Sequence, residues 1–229
     1  PYLTREVVED WVVSDALQPS SRAGRLQVMR LLGRFIAQTR PETYIPGPAW
    51  GWSRSSGFRP YIYTPAEIKA LLAEARRLTP VGSLRPHTYA TLFGLLYCTG
   101  LRISEALALR LADVDLDTNL LLVRESKFHK SRLLPLGSGV SNALRRYQEE
   151  RSKRAFPRDP EAPFFVSEHR REWAYDAACY TFLSIARRVG VRGPAGTRGP
   201  RIHDFRHTFA VHRLLEAEVF RRSTTGFAH

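Results

Sequence analysis

Lysine is almost missing from this chain. Only Lys69, Lys127, Lys130 and Lys153 occur among 35 lysine and arginine residues, so the positive charge is nearly all guanidinium. Acidic residues are also too few to balance it: Asp+Glu 22 against Lys+Arg 35 leaves a net charge of +13. An excess that large marks a polyanion partner, chiefly nucleic acid, rather than a merely solubilised surface. Arginine dominance fits phosphate contacts, and coding bias is the other source of it. Cysteine is limited to Cys98 and Cys179, far apart in apolar contexts, which excludes a disulfide framework and reads as two reduced core residues. No apolar run reaches the length a membrane helix requires, and no secretory leader pattern opens the chain, which starts on Pro1 rather than Met and reads as incomplete at its N-terminus. Tyrosine is absent from the final stretch: Tyr180 is the last of nine.

With 229 residues, 43% of them hydrophobic, there is room for one or two domains with real cores. Thr4 is placed to cap a short helix carrying Val7, Val8, Trp11 and Val12. Ser20 or Ser21 is placed to cap a second, with Leu26, Met29, Leu31 or Leu32, Phe35 and Ile36 at helical spacing. Arg22, Arg25, Arg30 and Arg34 interleave with those apolar positions. On the residues alone, this reads as a helical hairpin with a solvated basic face. Pro41 to Pro60 is rich in Pro, Gly, Ser and aromatics (Tyr44, Trp50, Trp52, Phe58) and has no period, so it reads as a linker; packing of its aromatics on a domain face is the other reading. Thr64-Pro65-Ala66-Glu67 is a helix start, with Thr64 as N-cap, Pro65 in the first turn and Glu67 closing a capping box. Ile68, Leu71, Leu72 and Ala75 follow as its apolar stripe.

The chemistry concentrates in two places. Thr88 to Cys98 reads as a buried helix ended by Gly100, and a second helix starts at once with Ile103, Leu107 and Leu109 available for a core. Arg102 therefore sits at a tight junction near a helix N-terminus, where backbone N–H groups and a planar guanidinium both suit an anion. About a hundred residues on, His203-Asp204-Phe205-Arg206-His207 places His203, Arg206 and His207 on one helical face, with Phe205, Phe209 and Leu214 directed to a core. Two arginines and a histidine brought to one point make a phosphate site. A zinc reading of His203 and His207 lacks the intervening Glu and a third ligand, so no metal is assigned. No RNA-recognition motif is present. Between the two boxes, Asn119 to Arg124 and Arg132 to Leu136 read as strands, with Lys127-Phe128-His129-Lys130 in the turn and Pro163 to Ser167 as a third short strand. Ser141 to Lys153 reads as a polar helix with Leu144 and Tyr147 inward. Trp173 to Val189 reads as a longer one, with Ala177, Tyr180, Phe182, Leu183 and Ile185 for packing and Gly190 closing it. Gly193 to Pro200 is a loop that delivers Arg201 and His203.

The Thr99-Gly100-Leu101-Arg102-Ile103-Ser104-Glu105 box and the His203-x-x-Arg206-His207-Thr208-Phe209 box, in that order, resemble the tyrosine recombinase (phage integrase) family. The resemblance spans Thr64 to Leu215 well and the N-terminal part more loosely. It implies a mainly α (α+β) fold: residues 1–45 as a partial helical core-binding (SAM-like) DNA-binding domain, 46–63 as linker, and 64–229 as a C-terminally incomplete catalytic domain with a small three-stranded antiparallel sheet. It implies strand cleavage of double-stranded DNA by a tyrosine, through a covalent phosphotyrosine link, without metal or cofactor. Arg102 and Arg206 would grip the phosphate, Lys127 would be the acid (Lys130 the second choice), and His203 would hold the phosphate or shuttle a proton. Arg22, Arg25, Lys130, Arg201 and His207 are the expected DNA contacts. Glu105 and Asp204 each either orient an arginine or pair on the surface. The family's partners and setting are implied too: a homo-oligomer, a tetramer on two DNA sites, or a full-length recombinase, in the cytoplasm at the nucleoid and not at a membrane. The family's tyrosine follows the second box, and no tyrosine does so here. His229 falls near the family's second histidine without the apolar pattern that precedes it. The expectation is a tyrosine recombinase for site-specific DNA recombination or integration, inactive in this form for lack of the nucleophile, with a non-catalytic DNA-binding protein derived from a recombinase as the alternative.

Overall fold

The computed structural model describes residues 2–13, 19–47, 59–126, 130–167 and 173–225. It divides into two compact units, Pro1–Arg59 and Pro60–His229.

The first unit pairs helix α1 (Arg5–Val13) with helix α2 (Pro19–Ile36). Thr4 Oγ1 accepts the Val7 N–H at 3.3 Å, as the sequence predicts for an N-cap. Val8 and Val12 pack on Leu26 and Met29. The contact is narrower than the apolar pattern predicts, because two helices alone bury one stripe each: Val7, Trp11, Leu32 and Phe35 remain exposed within this unit. Helix α2 also starts earlier than expected, at Pro19 rather than at Ser20 or Ser21. Proline is suited to a first turn, since its fixed φ is helical and its missing N–H would have no partner there. Residues 41–47, read as the start of a linker, belong to this unit: Thr43 is buried and the Tyr44 N–H donates to Leu3 O at 2.8 Å. Trp50, Trp52 and Phe58 lie outside the described residues.

The second unit opens with α3 (Pro65–Ala75). Its capping box is complete: Thr64 Oγ1 accepts the Glu67 N–H at 3.2 Å, and Glu67 Oε2 accepts the Thr64 N–H at 2.7 Å. Helix α4 (Arg85–Thr99) is the central element, burying Leu92, Phe93, Leu95 and Leu96. Gly100 caps it with φ +64, the left-handed conformation that glycine takes without a steric cost. Helix α5 (Ile103–Leu107) is one short turn, so Leu109 is buried beyond its end rather than on its face. A 3-10 turn (Leu111–Asp113) leads into β1 (Val114–Asp115), β2 (Leu120–Ser126) and β3 (Lys130–Pro135). These form an antiparallel sheet in the order β1-β2-β3, with Val123 opposite Arg132. The sheet's third strand is therefore Val114–Asp115 and not Pro163 to Ser167. The latter stretch makes one bridge, from Pro163 to Arg110, and then buries Phe164, Phe165 and Val166 in succession, a pattern without the alternation of a half-buried strand. Lys130, expected in the turn, begins β3 opposite Ser126.

Helix α6 (Ser138–Lys153) packs Leu144 and Tyr147 inward, and also Arg151, whose guanidinium donates to Pro157 O at 2.6 Å and Pro163 O at 3.1 Å. Helix α7 (Tyr175–Arg188) buries Phe182 and Ile185 but leaves Tyr180 exposed. Helix α8 (Asp204–Thr225) runs five residues past the expected end near Phe220 and exposes Leu214 and Leu215. Cys98 and Cys179 are free and half-buried. Among the described residues no helix is long and apolar enough to cross a membrane.

Candidate active site

Phe205 explains why the second box is rigid. Its ring lies 5.1 Å from Tyr63, 5.6 Å from Phe93 and 5.7 Å from Phe182, so the first turn of α8 is set into the core of the unit. Two further bonds hold the same turn. Thr208 Oγ1, which donates to Asp204 O at 2.8 Å, accepts the Tyr63 N–H at 3.0 Å, and the Tyr63 hydroxyl donates to Arg201 O at 2.9 Å. Asp204 is buried and accepts the Arg201 N–H at 2.7 Å, so it shapes the turn into α8.

That turn meets the Arg102 junction directly. Arg206 Nη1 donates to Gly100 O at 2.6 Å, tying two residues 106 apart in sequence. The Phe209 ring presses on the glycine itself, and a Cβ at position 100 would lie 2.3 Å from its Cδ1. Glycine is thus required twice, for positive φ and for the close approach of α8. Burial lowers the Arg206 pKa from its ordinary value, and the neighbouring Arg102 cation lowers it further. Two guanidinium groups are held close together with a shortage of negative charge, which is the electrostatic condition for gripping an anion.

Arg102 is the N-cap residue of α5, in extended conformation, with its side chain 37% exposed. Beneath it lies Glu105, whose side chain is 7% exposed. Glu105 Oε2 accepts the Arg102 N–H at 2.9 Å, and Oε1 accepts Arg102 Nη1 at 2.9 Å. Arg132 on β3 also reaches this carboxylate, its Nη2 donating to Oε2 at 2.9 Å. Burial pushes the Glu105 carboxyl up, but these hydrogen bonds outweigh it and the pKa lies below the ordinary value. Glu105 therefore orients an arginine, the first of its two sequence readings. Arg132 was not singled out from sequence. The signal available for it is an arginine two residues after Lys130 and two before Leu134, on one face of the strand.

His203 sits in the turn before α8, with its ring 5.4 Å from that of His207. Burial depresses its pKa from the ordinary 6.5, and His207, Arg206 and Arg201 add to the effect. His203 thus lies among His207, Arg206 and Arg201, and Arg206 in turn neighbours Arg102. Among the described residues no group of three metal-ligating side chains forms. Lys127 lies outside the described residues, and for Lys130 only the backbone is described. Arg22 and Arg25 lie on α2 in the first unit. Arg25 donates to Trp11 O at 2.6 Å and stands 4.8 Å over the Trp11 ring, so it also fastens α1 to α2. His229 lies outside the described residues.

Similar proteins carry the same arrangement of elements. The phage integrase family model matches residues 62–222. A relative from Sinorhizobium fredii (strain NBRC 101917 / NGR234), named for an integrase/recombinase as y4rB, is 36% identical over 219 residues, covering 94% of this chain and 70% of that protein. Tyrosine recombinase XerD of Lacticaseibacillus casei is 29% identical over 208 residues, covering 89% of this chain and 66% of its own length. The chain thus spans about two thirds of these relatives. Among solved structures, the Tn1549 transposon integrase in complex with transposon right end DNA superposes with a TM-score of 0.68 at 16% identity, over 94% of this chain and 73% of that one. The XerH site-specific recombinase bound to palindromic difH substrate gives a TM-score of 0.67 at 18% identity, over 98% of this chain and 64% of that one. At those identities the structures speak for the fold: mainly helical, with a small three-stranded antiparallel sheet. The family match over most of the second unit and the identity to y4rB settle the question of kinship: this chain belongs to the phage integrase family.

Proposed function

We propose that the second unit holds a DNA phosphodiester for strand cleavage and rejoining of the tyrosine recombinase type, and that these 229 residues taken alone bind double-stranded DNA without cutting it. The observation that carries this reading is the Arg206 to Gly100 bond, which brings two arginines from distant boxes to one turn. In the reaction, a tyrosine oxygen attacks phosphorus, the P–O5′ bond breaks, and the 5′ oxygen leaves as a hydroxyl after taking a proton. Charge grows on the non-bridging oxygens, and donors fixed in advance stabilise it. Arg102 and Arg206 supply those donors. Lys127 is the acid for the leaving oxygen. His203, kept neutral near pH 7 by its surroundings, is able to accept a hydrogen or donate one to the phosphate. Arg201, His207 and Lys130 add contacts to flanking phosphates, and the first unit, with Arg22 and Arg25, grips DNA as part of a core-binding domain. No cofactor enters. In the assembled reaction the partners are further protomers, four on two DNA sites, or a full-length recombinase.

Each of the nine tyrosines precedes His203 in sequence. Tyr63, Tyr89, Tyr97 and Tyr147 are tied by their hydroxyls to Arg201, Thr181, His212 and Val166. None of these bonds directs a phenol oxygen at Arg102 or Arg206. The test uses a labelled duplex. The chain binds it with an affinity that falls steeply with salt, and Arg102→Ala and Arg206→Ala each flatten that dependence by about 0.9 in log–log slope, one phosphate contact apiece. Unchanged slopes in both variants would remove the phosphate assignment. A protein–DNA adduct surviving denaturation would overturn the non-cutting clause.

A further inference from the structure

We propose that Arg132 is a positioning residue: it occupies the Glu105 carboxylate so that Arg102 stays turned toward the phosphate. The proposal rests on the phosphate-site reading of Arg102. A carboxylate offers about four acceptor directions on its two oxygens. Glu105 fills them with the Arg102 N–H, Arg102 Nη1 at 2.9 Å, and the Arg132 fork, Nη2 at 2.9 Å and Nη1 at 3.4 Å. The Arg102 guanidinium therefore gives one nitrogen to Glu105 and keeps the rest of its fork free of that carboxylate. The charge count points the same way. Glu105 alone would neutralise Arg102, whereas Glu105 with two arginines leaves a net positive charge beside Arg206.

Removing Arg132 empties one side of a buried anion. The nearest remaining cation able to fill it is Arg102, whose backbone and side chain already touch both oxygens. Arg102 then swings into a two-point pairing with Glu105, since a buried carboxylate left half-paired is costly. The phosphate loses its donor although Arg102 is still present. Arg132 lies on β3, opposite Val123 of β2, so the same contact fastens the β2–β3 hairpin to the Gly100–Arg102 turn. A salt bridge of purely structural use would leave Arg102 chemistry unchanged when exchanged for a neutral pair.

The experiment reads Arg102 itself, in the free protein, by its rate of modification with phenylglyoxal, followed by peptide mass spectrometry. Arg132→Gln slows the reaction at Arg102 severalfold. In a Glu105→Gln background the same substitution has no further effect, because no buried anion remains to capture Arg102. Arg132→Lys, which keeps the charge but not the fork, gives an intermediate rate and serves as the test if Arg132→Gln unfolds. An unchanged Arg102 rate in both Arg132 variants overturns the proposal. On a duplex, Arg132→Gln weakens binding by about tenfold, equal to 1.4 kcal/mol, in the parent chain and by almost nothing in Arg102→Ala. Additive losses would show that Arg132 contacts phosphate directly, which also overturns it. If the parent chain binds no DNA, the recombinase reading fails by itself, and the modification rates still decide the role of Arg132.

Discussion

Gly100→Ala is the substitution with the largest consequence for its size. Residue 100 has φ +64, and an alanine there carries a left-handed penalty of about 1–2 kcal/mol. The added Cβ would also stand 2.3, 2.9 and 3.0 Å from Cδ1, Cε1 and Cγ of Phe209. Distances that short cannot be absorbed at the tip of a flexible side chain, because three atoms of one ring are involved. The ring cannot retreat freely either, since the Arg206 to Gly100 bond at 2.6 Å fixes the spacing between α8 and the turn. Overpacking of this kind costs about 1–3 kcal/mol. Together the two effects come to about 2–5 kcal/mol. Denaturant unfolding followed by tryptophan fluorescence measures it, and the melting temperature should fall by about 2–4 °C for each kcal/mol. Phe209→Ala separates the parts: on that background Gly100→Ala should cost only the conformational share, about 1–2 kcal/mol. A loss below about 1 kcal/mol for Gly100→Ala alone would refute the reasoning, since the backbone penalty by itself exceeds it. DNA binding of the variant should fall as well, because the displaced helix carries Arg206 away from Arg102.

Three further outcomes follow from the same geometry. Thr64→Ala removes the N-cap of α3 and should cost about 1 kcal/mol in unfolding free energy, while Thr64→Ser should cost little. Phe205→Ala opens a cavity among Tyr63, Phe93 and Phe182 and should cost about 3–5 kcal/mol by denaturant titration. His203 has a folded pKa below its ordinary 6.5, so the unfolded chain binds its proton first on acidification. Its contribution to stability is thus present above pH 6.5 and is lost as pH falls through the folded value. Duplex binding should run the opposite way, tightening from pH 7.5 to 5.5 as the phosphate restores the histidine's proton, and His203→Gln should flatten that trend.

Local chemistry was legible where one short stretch decides the outcome. The Thr64 capping box, the glycine stop at residue 100 and the immediate restart at Ile103 all came from residues within a few positions of one another. Arg102 and Arg206 were legible as a pair because both boxes carry recognisable spacing. The misses share a cause. Which face of α2, α7 or α8 is covered depends on neighbours that sequence does not place, so Phe35, Tyr180 and Leu214 read as core and are exposed. The third strand is not legible in the sequence because Phe164, Phe165 and Val166 have strand-like composition, while the pairing partner of β2 is the two-residue Val114–Asp115, too short to carry a pattern. Arg132 does not stand out in the sequence because its importance lies in reaching Glu105, 27 positions away, and only the folded structure shows that.

Tyr63 has a mechanical consequence. It stands four residues inside the second unit, and its backbone and hydroxyl are bonded to Thr208 and to Arg201 on either side of the His203–Arg206 turn. A pull on the chain from the side of Pro60 would load these two bonds before it reached α3 or α4. Their rupture would take two ties from that turn and leave Phe205 and the Arg206–Gly100 bond to hold it. Tension arriving from the N-terminal side is therefore felt first at the turn that carries His203 and Arg206, ahead of the helices behind it.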